Sequence, residues 1–294
     1  MRDSARTHVR HGSTVMGRFE RSWTLLKASA AVLRADRRLL LLPLLSSIAS
    51  LVVIATFALP LAGSGGLARF DAGQPAAGLL VGFAFYLVQF FVIVFFNAAL
   101  VAAARMHLDG QRPSLSAALG VAASHWLRIL GYAAIAATVG VLLRAIEERA
   151  GWFGRIVAGM FGAAWTVATF LVVPVLVHEN IGPLDAVKRS AQLLRQTWGE
   201  NLIGTLGLGL VFALFYVGWA LLAALIVGGA IAAHSVALIV LAGVVVVLGF
   251  VLLGLIHSAL NGVYAAVLYR YAQTGDGGAG FDGALVAQAF RSKA

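Results

Sequence analysis

The chain has 294 residues, 61% of them hydrophobic and 12% charged, with a formal net charge of +10 and a mean hydropathy of +0.91. Soluble domains average about 45–50% apolar and about 25% charged, so this composition excludes an ordinary water-soluble globule and fits a polytopic membrane protein. There is no Cys, which excludes a disulfide framework and any thiolate metal site. The positive charge arrives without a nucleic-acid recognition motif.

Residues 1–15 (MRDSARTHVRHGSTV) are polar, basic and without periodicity, and read as a disordered extension. They are not a signal peptide, because no apolar run follows until Leu39. The patterned sequence begins at Met16, an alternative start, and the single integral membrane domain is expected over 16–291. Phe19, Trp23, Leu26, Ala30 and Leu33 recur at 4, 3, 4, 3 and predict an amphipathic helix, with Arg18, Arg21, Lys27 and Arg34 off the apolar stripe.

Six runs then have the roughly 20 apolar residues needed to cross a hydrocarbon core of about 30 Å. They are Leu39–Ala62, Leu79–Ala104, Leu127–Leu143, Ile156–Val177, Leu202–Ile231 and Val236–His257. The third is the shortest, the sixth can extend to about Tyr269, and only AAHS around His234 separates the last two. Pro43, Pro60 and Pro174 are expected to kink or end helices. GLLVG at Gly78–Gly82 has the small-xxx-small spacing that permits close helix contact.

The connecting segments carry the charge. Segments 1–38, 105–128, 178–201 and 269–294 hold 18 of the 22 Lys and Arg, against four (Arg69, Arg144, Arg149, Arg155) on the alternate side. The positive-inside rule therefore predicts cytoplasmic N- and C-termini.

One phrase recurs in these basic segments: ERSWTLLKAS at 20–29 and KRSAQLLRQT at 188–197. Leu184, Val187, Ala191, Leu194 and Trp198 form an apolar stripe, with Lys188, Arg189 and Arg195 on the other side, after Pro183 and before Gly199. Leu115, Leu119, Ala122 and Trp126 make a third, weaker copy after Pro113. HLDGQRPSLSA at 107–117 also matches HENIGPLDA at 178–186 in its order of His, Pro and helix start. The fold class is thus all-α, a polytopic bundle of six spans with three or four cytoplasmic amphipathic helices. A threefold repeat is expected, with units near 17–104, 113–177 and 183–269 and a short fourth helix at Phe281–Phe290. Two roles suit the amphipathic helices: lying on an anionic lipid surface through Arg18, Arg21, Lys27, Arg34, Lys188, Arg189 and Arg195, or capping the bundle by packing on the spans.

Candidate chemistry is thin. In LLRAIEERAGWFGR, Arg144 is spaced to pair with Glu147 or Glu148 along one helix face. The pairs His107–Asp109 and His178–Glu179 offer zinc-ligating side chains, although their spacing alone does not bring them together. Gln89, Asn97, Thr205, His257, Ser258 and Asn261 fall in or near the inner half of the spans. They suit either a substrate lining or ordinary interhelical hydrogen bonds, which average about 0.6 kcal/mol. No span has a central Asp, Glu, Lys or Arg, which argues against ion-coupled transport. HExxH, Walker, dinucleotide and GxSxG motifs are all lacking, so no catalytic residue, cofactor or metal is assigned.

The stretches MGRFERSWTLLKASAAVLRADRRLLLLPLL, LLRAIEERAGWFGR, VVPVLVHENIGPLDAVKRSAQLLRQTWGENLIG and LYRYAQTG with FDGALVAQAF resemble an uncharacterised bacterial family of six-pass integral membrane proteins, over about 16–291. AVKRSAQLLRQTW also resembles the surface helices in the membrane domain of some glycerophosphodiester phosphodiesterases. The resemblance implies a location and a fold, and supplies no catalytic residues. The expected function is a non-enzymatic membrane module that binds anionic lipid or a protein partner. The alternative is a transporter or channel for a small or lipidic solute, and an intramembrane enzyme stands third.

Overall fold

The computed structural model describes residues 29–31, 33, 34, 36–63, 75–149, 151–198 and 203–275. The extension at 1–15, most of the first amphipathic helix with Arg18, Arg21 and Lys27, and Phe281–Phe290 lie outside the described residues. Within them the chain is all-helical. A 3₁₀ turn at Arg37–Leu40 leads into α1 (Leu41–Gly63), followed by α2 (Pro75–Leu108), α3 (Leu115–Ser124) and α4 (Trp126–Arg149). Then come α5 (Gly151–Ala168), α6 (Val172–His178), α7 (Pro183–Trp198), α8 (Ile203–Ala232) and α9 (Val236–Thr274).

Six segments are long and apolar enough to cross a membrane: Arg38–Leu61, Gly78–Leu108, Trp126–Arg149, Gly151–His178, Gly209–Ala232 and Val236–Thr274. The third and sixth are longer than the hydropathy runs suggested, because Arg149 and Thr274 continue their helices past the apolar stretch. The separation near His234 is a tight turn, with His234 at φ 50. Gly151 makes the other short reversal at φ 56, a left-handed conformation that glycine adopts without steric cost. Helix α1 runs through Pro60 to Gly63.

The fourth span is broken at Thr169–Leu171, between α5 and α6. Pro174 has no N–H to donate, and its ring crowds the carbonyl four residues back, at Phe170. The break leaves the Leu171 N–H outside the helical ladder. It donates instead to Ser190 Oγ of α7 at 3.0 Å, and that serine is fully buried. An unpaired buried N–H costs about 1–3 kcal/mol, so α7 completes the span it packs upon.

Helix α2 is the axis of the bundle, in contact with α1, α3, α4, α6 and α9. Its segment Ala98–Ala104 is buried on every side, and alanine is small enough to let five neighbours approach. The core lies at the end that carries α3 and α7, where Leu171–Val177 and Val263–Tyr269 are also buried. Toward the other end α8 packs chiefly on α9, and the outer faces of this hairpin are open: Leu225 is 73% and Val236 76% exposed. In a bilayer such surfaces face lipid.

Two expectations about the short helices need correction. In α7 the buried face is Ala186, Ser190, Leu193 and Leu194; of the expected stripe Leu194 is buried and Val187 packs on the core, whereas Leu184 is 63% exposed. The stripe is rotated because small Ala186 and polar Ser190 allow close approach to the broken span, and Ser190 has a donor to meet there. In α3 the buried residues are Ala118 and Ala122. Trp126 belongs to α4, half exposed, because the chain turns at His125.

Candidate functional site

The end bearing α7 gathers most of the polar contacts between distant segments. Glu179 caps α6. Its carboxylate accepts from Arg189 Nε of α7 at 3.4 Å, Tyr269 OH of α9 at 3.1 Å and Gln273 Nε2 at 3.5 Å. Asp109, just past α2, pairs with Arg105 at 3.7 Å and with Arg270 of α9. Arg128 of α4 donates to Asn180. His178 donates Nδ1–H to the Pro174 carbonyl at 2.7 Å, which fixes its tautomer, and its ring lies 5.3 Å from that of Tyr269. Two acids, each met by residues of α9, thus tie together the ends of α2, α6, α7 and α9. Among the described residues no group of three or more His, Cys, Asp and Glu could hold a metal ion, so the two His–acid pairs do not converge on one.

Outside this knot the surface is basic. Arg34, Lys188 and Arg195 are exposed, as are Arg38 and Arg112, which the helical stripes did not single out. Lys188 stands 3.4 Å from Asp185 and is 73% exposed. Arg189 differs from its expected outward position: it is half-buried against Glu179. The contact is non-local and has no periodic signature; the adjacent His178–Glu179 pair was its only trace in the sequence.

The inner polar residues have different surroundings. Asn97 Oδ1 lies against Gly262 of α9. His257 stacks on Phe212 of α8, with ring centroids 4.2 Å apart and planes 9° from parallel. Ser258 and Asn261 are on the open face of α9. Gln89 is half-buried, and its buried Oε1 has no protein partner. The side chain of Thr205 lies outside what is described.

At the opposite end, a cavity of about 490 Å³ opens between α1, α2 and α4. Gly78 and Gly82 line it. At Gly82 the close helix contact that the spacing permits does not form: a Cβ there would meet nothing within 4 Å. Arg144 and Glu148, also on its wall, form the i,i+4 ion pair at 2.8 Å.

No curated protein and no solved structure matches the chain. Residues 76–281, from the start of α2 to beyond the end of α9, match a family of unknown function, DUF6159. That match covers well over half of the sequence, and the protein belongs to this family.

Proposed function

We propose that this protein is a non-enzymatic module of the bacterial inner membrane, with both termini cytoplasmic, whose basic end binds anionic lipid. The observation that carries the reading is α7. Its inner face is spent on the broken span and on Glu179, while Lys188 and Arg195 stand exposed; Arg34, Arg38 and Arg112 are exposed as well. Basic residues near an anionic membrane surface contribute about 1 kcal/mol each. Capping and lipid contact, alternatives in sequence terms, become two faces of one helix. Asn97 against Gly262, His257 stacked on Phe212, and Ser258 with Asn261 on the open face of α9 favour this reading over a solute path through the bundle.

The Lys188→Gln/Arg195→Gln double variant is expected to lose enrichment of phosphatidylglycerol over bulk lipid by about thirtyfold, with its melting temperature unchanged. Lipid analysis of the protein extracted in native-lipid particles reads this. Wild-type enrichment in the double variant would remove the lipid role. Orientation has a separate check. Reporter fusions after Gly151 and His234 should read periplasmic and one after Ala191 cytoplasmic, because the short loops differ so strongly in Lys and Arg. The reverse pattern would overturn the assignment.

A further inference from the structure

The cavity between α1, α2 and α4 is apolar along most of its wall, with Phe57, Leu61, Leu79 and Phe85 among the lining residues. At about 490 Å³ it falls within the range of roughly 300–1,000 Å³ typical of small-molecule sites. Its polar groups lie close together: Arg144 Nε to Glu148 Oε1 is 2.8 Å, and Arg144 Nη1 to Tyr86 OH is 3.4 Å. Helix α4 has 24 residues; at 1.5 Å each it is about 36 Å long, longer than a hydrocarbon core of about 30 Å. The Arg144–Glu148 turn is near its end and so falls at headgroup depth. Trp152, 71% exposed just beyond it, is a residue type that marks a membrane interface.

We infer that this cavity holds one acyl chain of a membrane phospholipid whose headgroup carries a phosphate and a primary ammonium, the phosphate meeting Arg144 and the ammonium meeting Glu148. The wall presents a cation and an anion one helical turn apart, and a zwitterionic headgroup presents the complement. Arg144 can grip a phosphate through charge-assisted hydrogen bonds. A purely anionic headgroup leaves Glu148 opposed to it. A quaternary ammonium has no N–H to donate to Glu148. The existing Arg144–Glu148 pair is 63% exposed on both sides and therefore weak, so a headgroup can open it. The site stands at the opposite end of the bundle from the basic surface of α7, and neither depends on the other.

The test uses the full chain in detergent, offered an equimolar mixture of phosphatidylethanolamine, phosphatidylcholine and phosphatidylglycerol, with retained lipid counted by native mass spectrometry. The wild type should retain one phosphatidylethanolamine per chain, about tenfold over phosphatidylcholine. Gly82→Leu fills open space and should abolish retention without lowering the melting temperature. Glu148→Gln leaves the core untouched, so it carries the test even where Gly82→Leu fails to fold; it should turn the preference toward phosphatidylglycerol. Lys188→Gln/Arg195→Gln should leave this retention as it was, which separates the two sites. Equal retention of all three lipids by the wild type, wild-type retention in a folded Gly82→Leu protein, or an unchanged preference in Glu148→Gln would each overturn the assignment.

Discussion

Replacing Gly262 by Leu is expected to destabilise the protein by about 3 kcal/mol, and by Ala about 2 kcal/mol, the upper part of the range for overpacked cores. Gly262 is where α9 crosses the axial helix. A Cβ there would sit 2.4 Å from Leu100 Cδ2 and 2.9 Å from its Cγ. Leu100 is 1% exposed and cannot swing away. Asn97 Oδ1, at 3.3 Å, closes the other side. The matching control is Gly218→Ala on α8, where a Cβ would meet nothing within 4 Å and the better helix former should be neutral or slightly stabilising. Melting temperatures of the three variants in one detergent decide it. Equal values for Gly262→Ala and Gly218→Ala would mean that α9 does not pack on α2 as described.

Glu179→Ala should cost about 2 kcal/mol, because it leaves Arg189, Tyr269 and Gln273 without their common acceptor in a half-buried setting. Glu179→Gln keeps an acceptor oxygen and loses the charge, so it should recover part of that loss. The same removal should loosen α7. Hydrogen exchange along α7 and at the end of α9 would then rise together in Glu179→Ala while the centre of α2 stays protected. A loss of protection spread evenly over the bundle would argue instead that Glu179 acts in no local tie.

The spans were legible in sequence because a bilayer imposes a length that few other structures need. The Arg144–Glu148 pair was legible for a similar reason, since helical spacing is local. The break at Thr169–Leu171 was announced by Pro174, which cannot donate to Phe170, although hydropathy alone does not register it. Two features were not legible. The true inner face of α7 is set by what it meets, a stray N–H at Leu171, so polar Ser190 is buried while Leu184 is left out. The Asp109–Arg270 contact joins residues 161 apart along the chain, and nothing periodic announces it. Gly82 shows the same limit in reverse: small-residue spacing permits a close contact or an empty one, and only the neighbouring helices decide.

The unbroken length of α9 has a mechanical consequence. Its 39 residues make a rod of about 58 Å, nearly twice the thickness of a hydrocarbon core. Among the described residues it has no proline and no interruption, unlike the fourth span, which is broken at Thr169–Leu171. One half stands with α8 alone, and the other is gripped by the core and tied through Tyr269 and Arg270 to Glu179 and Asp109. Long apolar segments answer a change in bilayer thickness by tilting. With no hinge along α9, a tilt of the free half acts as a lever whose fulcrum is the Gly262 crossing, and the torque arrives at the Arg270–Asp109 ion pair and the Tyr269–Glu179 hydrogen bond.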